Sequence, residues 1–253
     1  MGSQTAIRKN NNVIPFPYEE LIMIKKEMIS RNPLNNLGFA GEDILPNGGL
    51  GAVLAHAGLG KTALLVQMAL NTMFQEKPVL HVSLNDAVSK VDVWYRELFN
   101  DISEGNDPAE IAQYWEKIQM YRFIMTFRVE GFSVPKLEER LTDLMQQNIF
   151  KPHTMIIDGL KFDESGRGLL FELKEMAKLF GMRIWFTVHT HRHEPPKEDG
   201  LPVSFLHVED LFDVLVQLAA KGPKVYIKAL KGQSPEAKKE ALELEPSTML
   251  IQE

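Results

Sequence analysis

The segment from Ala55 to Thr62 (Ala-His-Ala-Gly-Leu-Gly-Lys-Thr) places two glycines, a lysine and a hydroxyl group at a spacing that suits phosphate binding. Gly58 and Gly60 can adopt positive φ angles, so successive backbone N–H groups can turn inward around an anion. Lys61 would reach the β- and γ-phosphates of a nucleotide, and Thr62 would hold Mg²⁺ through its hydroxyl oxygen. The first position of such a segment is usually glycine, and this chain has alanine there. The residues expected to surround the phosphates are Ala57, Gly58, Leu59, Gly60, Lys61, Thr62 and Ala63.

The flanking residues predict the strand and the helix that would position this loop. Gly51 to Ala55 is apolar, and Lys61 to Phe74 has a helical pattern whose N-terminal dipole and N–H groups would face the same anion. A glycine-rich turn that merely precedes a helix is the alternative, and this strand–loop–helix order argues against it. We therefore expect a nucleotide site at this loop.

A carboxylate ends a second apolar run, Met155 to Ile157. In enzymes with a phosphate-binding loop, an aspartate at the end of such a strand holds the Mg²⁺ shell directly or through water, and we expect Asp158 to do so. An aspartate that only begins a turn is the alternative, and the glycine-rich loop upstream favours the metal role. Asp163 and Glu164 lie just beyond and are expected to be solvated.

Hydrolysis also needs a group that accepts a proton from the attacking water or orients it. The run Pro78 to Leu84 predicts a buried parallel strand, and Asn85 and Asp86 follow it. Asp86 can accept a proton, whereas the Asn85 amide can only orient water. An ordinary turn that caps the helix from Val88 onward is an equally supported alternative.

His189, His191 and His193 alternate at the end of a further predicted strand, Arg183 to Val188. They would share one face if that strand continued. A transition-metal site is disfavoured, because no carboxylate or cysteine partner stands at a suitable spacing. We expect His189 instead to sense the γ-phosphate.

Strands alternate with helices along the chain, which predicts a doubly wound, mainly parallel α/β sheet with right-handed crossovers. Leu211 to Leu218 and Lys224 to Leu230 predict a C-terminal β-hairpin, and Ala241 to Ile251 could add a short strand pair. Residues 1–34 are expected to form a tail and a helix, and residues 35–253 one domain. Ligands of such sheets bind at the C-terminal strand ends. The residues expected to gather there are Ala55, Asn85, Asp86, Asp158 and His189.

Composition narrows the classes of function. A net charge of −6 over 253 residues argues against a large non-specific surface for nucleic acid. The absence of cysteine excludes disulfides, thiolate metal sites and cysteine nucleophiles, and it fits the cytoplasm. No apolar run approaches the ~20 residues of a membrane span. We therefore expect a cytoplasmic protein that makes no use of a membrane.

Together, four stretches resemble the RecA-like P-loop ATPases, and most closely the branch that contains the DnaB replicative helicases, RadA and KaiC. These stretches are Gly51 to Leu70, Val82 to Leu84, Ile156 to Asp158, and Asp210 through Lys231. The resemblance implies a RecA-type core, binding of Mg·ATP, ATP hydrolysis, and assembly into homo-oligomeric rings or filaments with ATP between subunits.

The same resemblance implies catalytic groups that this chain lacks. Where the family has a catalytic glutamate after the second strand, this chain has Asn85, with Asp86 beside it. His189 falls where the family often has a sensing glutamine. A Lys-x-Arg pair after the hairpin commonly reaches the neighbouring subunit's ATP, but here Lys231 is followed by Gly232 and Gln233. Arginine fingers are worth ~10³–10⁵ in rate, so we expect slow turnover unless Lys231 or Arg192 substitutes.

The segment that corresponds to the DNA-facing loop of helicases and recombinases is Arg192 to Ser204. Its basic residues are offset by Glu194, Glu198 and Asp199, and no aromatic side chains interleave with them for base stacking. We therefore expect a slow ATPase that signals or scaffolds through nucleotide-dependent assembly, with a second protein as a further partner. The alternatives are a DNA-acting motor or helicase loader, and an ATP-binding pseudoenzyme.

Overall fold

The structure, a computed structural model, describes residues 22–23, 25–26, 29–39, 43–162, 166–190, 200–234 and 241–252. The predicted tail, Asp163, Glu164 and residues 192–199 of the segment that corresponds to the DNA-facing loop lie outside these ranges. In the N-terminal stretch predicted to be helical, the described residues are helical.

Eight strands form one sheet in the order β3-β2-β4-β5-β1-β6-β7-β8. The strands are β1 (Leu50–Ala55), β2 (Val79–Ser83), β3 (Arg122–Thr126), β4 (Thr154–Asp158), β5 (Arg183–His189), β6 (Val214–Lys221), β7 (Lys224–Lys231) and β8 (Leu242–Leu244). β1 to β6 run parallel, and β7 and β8 add antiparallel pairs at one edge. The predicted mainly parallel α/β sheet with a late hairpin is confirmed.

Besides the helical residues between 22 and 30, six helices accompany these strands in the described part of the chain. They are α1 (Pro33–Asn36), α2 (Lys61–Phe74), α3 (Val88–Ile102), α4 (Pro108–Ile118), α5 (Val134–Gln146) and α6 (Arg167–Phe180). Asp107 caps α4, because its Oδ1 accepts from the N–H groups of Ala109 and Glu110 at 2.9 and 3.1 Å. Ser133 is the N-cap residue of α5, but its side chain makes no capping bond.

The helices cover both faces of the sheet and create two apolar cores. One core lies between the sheet and the layer of α2, α3 and α4, and the other lies under α5, α6 and the segment from Leu201 to Phe212. Strands buried on both faces explain the near-continuous apolar runs in the sequence. The predicted strand from Leu211 begins only at Val214, because Glu209–Leu211 forms a 3₁₀ turn.

Gly51 gives β1 an unusually close contact with its neighbour. It pairs with Trp185 of β5, whose indole ring occupies the space where a Cβ would stand. A Cβ added at Gly51 would meet three ring carbons at 2.6–2.9 Å. Trp185 is 6 % exposed and belongs to the core under α2, so the strand that leads into the glycine-rich loop is held by aromatic packing.

Over the described residues, the longest helices are too short or too polar to cross a membrane.

Candidate functional site

The Ala55–Thr62 loop lies at the C-terminal edge of the parallel strands, between β1 and α2. Gly58 and Gly60 have φ angles of +79° and +84°, as their positions required. A Cβ on Gly58 would meet no atom within 4 Å, so the space beside this part of the loop is open. The first N–H groups of α2 have no side-chain cap. The loop therefore offers uncapped backbone donors to an anion.

The Lys61 side chain folds back over this loop. Its Nζ donates to the carbonyl oxygens of Ala55 at 3.0 Å and His56 at 2.9 Å. Burial lowers the pKa of Lys61, and the Asp158 carboxylate opposes that shift. A second anion beside the ammonium group would favour its charged form further, so this lysine is placed to exchange neutral carbonyl partners for a phosphate.

The structure brings the two predicted metal residues into direct contact. Thr62 Oγ1 donates to Asp158 Oδ2 at 2.8 Å, although the residues lie 96 positions apart in the chain. Both supply oxygen ligands, which Mg²⁺ prefers. Among the described residues no group of three or more His, Asp or Glu could hold a metal ion. A Mg²⁺ ion here would take its remaining ligands from phosphate and water.

Thr187 of β5 fixes the other oxygen of this carboxylate. Its Oγ1 donates to Asp158 Oδ1 at 2.6 Å and accepts from the Gly159 N–H at 3.2 Å. Because an ionised carboxylate can only accept, the hydroxyl hydrogen of Thr187 is directed at Asp158. No motif in the sequence marks Thr187. The only signal is a hydroxyl residue two positions before the end of an otherwise apolar strand.

Asn85 and Asp86 occupy different environments at the end of β2. The Asn85 side chain packs against Gly159, where a Cβ would collide with its amide. Asp86 instead accepts a hydrogen bond from Lys90 Nζ on α3 at 2.7 Å. The capping alternative is wrong, because Ala87 is the N-cap residue of α3 and no side chain caps that helix. Of these two residues, Asn85 is therefore the one beside Gly159, which follows Asp158 in the chain.

β5 ends beside the loop, with His189 paired to Ala55 and exposed. The next residue, Thr190, is buried and ties the two segments together. Its N–H donates to the Ala55 carbonyl at 3.0 Å, and His56 Nδ1 lies 2.9 Å from its carbonyl oxygen. A carbonyl can only accept, so His56 Nδ1 is the donor. His191 and His193 fall outside the described residues.

Lys231, and Gln233 at the position where the family has an arginine, are engaged within their own chain. Lys231 Nζ donates to the Glu209 carbonyl at 2.9 Å, and Gln233 Nε2 donates to the Leu37 carbonyl at 2.7 Å. Either side chain would have to leave these partners to reach a neighbouring subunit. Arg192 lies outside the described residues.

The C-terminal segment also reaches the loop. Met249 is 4 % exposed, has a φ of +55°, and lies so close to Gly60 that a Cβ there would collide with its Cε. The turn that carries it is closed by a bond from the Met249 N–H to the Glu245 carbonyl at 2.8 Å. Nothing in the local sequence indicates this contact, which joins residues far apart in the chain.

His81 lies on β2, two residues before the strand end that faces Asp158. It is fully buried, and its Nδ1 lies 3.1 Å from the Tyr95 hydroxyl, while Nε2 has no partner among the described residues. Burial lowers the pKa of His81 to about 4. The buried His81 imidazole, which lies behind the site, is therefore neutral.

This histidine should make stability depend on pH. Unfolding returns its pKa to about 6.5, so the unfolded chain binds an extra proton between pH 6.5 and 4, and stability is lost as pH falls through that window. At ~1.4 kcal/mol per pKa unit the loss approaches ~3 kcal/mol. His81→Asn, which can keep the Tyr95 hydrogen bond but does not titrate, should show a flatter profile in urea unfolding at pH 7.5 and 4.5. Parallel profiles would contradict this assignment.

The described geometry thus gathers Lys61, Thr62, Asp158 and Thr187 around the mouth of one glycine-rich loop. No protein-family model matches the chain, and no curated protein matches it.

Proposed function

We propose that the chain binds Mg·ATP at the Ala55–Thr62 loop and hydrolyses it slowly, as a switch that controls its own assembly. The observation that carries this proposal is the hydrogen bond between Thr62 and Asp158 at 2.8 Å, beside a loop with two positive-φ glycines. The N–H groups of the loop, the Lys61 ammonium group and the oxygen ligands of Thr62 and Asp158 therefore lie together. This combination suits a nucleotide phosphate with its magnesium ion.

Each group in the site has a part in this function. The loop N–H groups and the N-terminus of α2 hold the phosphates. Lys61 neutralises charge on the β- and γ-phosphates, and Thr62 and Asp158 hold Mg²⁺, which would stabilise charge on the transferred phosphoryl group. Thr187 orients Asp158 through its bond at 2.6 Å.

Slow turnover is expected from the residues around the attacking water. The Asn85 amide lies next to Gly159 and cannot accept a proton. Asp86 can, but its carboxylate is bound to Lys90, so it must leave that partner to act as a base. Lys231 and Gln233 are also engaged within the chain. The groups that would hold ATP are thus all in place, whereas the groups that would activate the attacking water are incomplete.

Asp86→Asn should lower the hydrolysis rate at least ~10²-fold, the lower end of what a general base contributes, and leave ATP affinity within about twofold. The substitution keeps size and shape but removes the proton acceptor. Single-turnover hydrolysis and a fluorescent-nucleotide titration measure the two quantities. Asp101→Asn, at an exposed position near the end of α3, is the matched control. An unaltered rate in Asp86→Asn would remove this residue from the mechanism.

The whole proposal is tested by ATP turnover and by mass in solution, each with and without Mg·ATP. We expect turnover well below the ~10 s⁻¹ typical of enzymes, no response to single-stranded DNA, and a larger mass with Mg·ATP. Fast turnover that rises severalfold with DNA would favour a motor instead. ATP binding without any turnover would favour a pseudoenzyme.

A further inference from the structure

The outer surface of α5 and α6 carries an apolar groove with an acidic rim. It encloses about 500 Å³. Phe171 and Leu179 both line it and are 56 % and 71 % exposed, so together they form an accessible apolar patch. Its acidic lining residues are Glu138, Glu172 and Glu175, and its described lining includes no lysine or arginine. Lys178 pairs with Glu175 at 2.6 Å, which leaves the rim with a net negative charge.

Towards one edge of the sheet, the β6–β7 hairpin extends beyond the neighbouring strand β1. Pairing with β1 stops at Gln217, so residues 218–221 of β6 continue past it by about 13 Å, at ~3.3 Å per residue. We call the distal part, Ala219–Lys221 with Lys224–Tyr226, the hairpin arm. Its two strands are held in register by the pairs Ala219–Tyr226 and Lys221–Lys224.

One face of the hairpin arm is cationic and aromatic. Directly paired residues share a face, so Lys221, Lys224 and Tyr226 stand together there, with the small Ala219 beside the tyrosine ring. Lys221 Nζ lies 5.6 Å from the centre of that ring. Lys224 is exposed but pairs with Glu243 of β8 at 2.8 Å, and Glu243, the direct cross-strand partner of Tyr226, also accepts from the Tyr226 hydroxyl at 3.1 Å. With two lysines and one glutamate, the face carries one net positive charge beside the tyrosine ring.

These two surfaces complement one another in charge and in apolar content. We infer that the hairpin arm of one copy of this chain docks into the α5–α6 groove of another copy. The arm cannot reach the groove of its own chain, because β6 and β7 are fixed in the sheet between β1 and β8. The inference rests on the assembly part of the proposed function and names the surfaces that assembly would use.

In this contact the lysines of the arm face Glu138 and Glu172, and the tyrosine ring covers Phe171 and Leu179. Opposite charges at the rim fix the orientation, and the apolar groups supply the buried area. Apolar side chains that are exposed in one copy are then buried at the centre of an interface between two copies.

Charge reversal on each surface tests the docking. The groove variant is Glu138→Lys with Glu172→Lys, and the arm variant is Lys221→Glu, which leaves the Lys224–Glu243 pair within the chain intact. Each alone places like charges across the contact, so each should associate at least ~10-fold more weakly than the natural chain. An equimolar mixture should recover association, because the acidic arm of one variant then meets the basic groove of the other. Sedimentation with and without Mg·ATP measures this.

Two controls separate the contact from general effects of charge and folding. Glu104→Lys with Glu116→Lys changes the net charge as the groove variant does, but at exposed positions in the loop before α4 and on α4, on the opposite layer, and should associate normally. Leu179→Ala removes apolar surface without changing charge and should weaken association severalfold. Thermal melting of every variant confirms that it is folded.

Variants that associate like the natural chain, or a mixture that stays monomeric, would overturn the docking and leave nucleotide binding untouched. A natural chain that stays monomeric with and without Mg·ATP would overturn both the docking and the assembly part of the proposed function. ATP affinity, measured on the same samples, shows separately whether the nucleotide site stands.

Discussion

Lys61→Ala should weaken ATP binding by ~10- to 100-fold or abolish it. Lys61 is the ammonium group that the structure places over the loop, 3.0 and 2.9 Å from the Ala55 and His56 carbonyls. A charge-assisted hydrogen bond contributes ~1.5–3 kcal/mol, and each ~1.4 kcal/mol is tenfold in affinity. Burial already disfavours the charged form of Lys61. A phosphate partner therefore stabilises that charged form more here than it would at an exposed site.

Titration of a fluorescent ATP analogue, with and without Mg²⁺, measures this effect. Lys61→Met keeps the apolar stem without the charge and should lose affinity as well, which separates the charge from the packing of the stem. Lys117→Ala, at an exposed position on α4, is the control and should bind normally. Unchanged affinity in both Lys61 variants would disprove the site.

Gly51→Ala should destabilise the fold by ~3 kcal/mol or more, the upper range for overpacking a core. The new Cβ would lie 2.6 Å from the nearest ring carbon of Trp185, which is buried and cannot swing into solvent. Replacing glycine with alanine can stabilise by ~0.4–1 kcal/mol through the unfolded chain, but that gain is smaller than the clash.

A double-mutant cycle by urea unfolding tests the cause. In a Trp185→Leu background the same alanine should cost much less, because the ring is gone. Gly131→Ala is the control, since a Cβ there meets no atom within 4 Å, and it should change stability by less than ~0.5 kcal/mol. If alanine at position 51 costs the same in both backgrounds, the ring is not the reason.

Local chemistry explains what the sequence could predict of the fold and the site. The positive φ angles of Gly58 and Gly60 and the strand–loop–helix order follow from residues within one short segment. The meeting of Thr62 with Asp158 follows from one rule, that parallel strands end at a common edge. These features need no knowledge of how distant side chains pack.

The features that sequence reasoning missed depend on long-range packing. Thr187 is one hydroxyl in an apolar strand, and only the neighbouring strand shows that it orients Asp158. His56 is held by a hydrogen bond to the Thr190 carbonyl, 134 positions away in the chain. Ser133 has the right residue type and place for a cap, yet its side chain makes no such bond. The residue type determines which hydrogen bonds a side chain can make, and its neighbours in the fold determine which of them it makes.

The contact between Met249 and Gly60 has a consequence for oxidation chemistry. The chain has 12 methionines and no cysteine, so its sensitivity to oxidants lies in thioethers and not in thiols. Conversion of Met249 to the sulfoxide would place a polar S–O group in the buried contact with the glycine-rich loop. At 4 % exposure that sulfur is shielded until the turn from Glu245 to Leu250 lifts away. The rate at which Met249 is oxidised therefore measures how often the C-terminal turn leaves the loop.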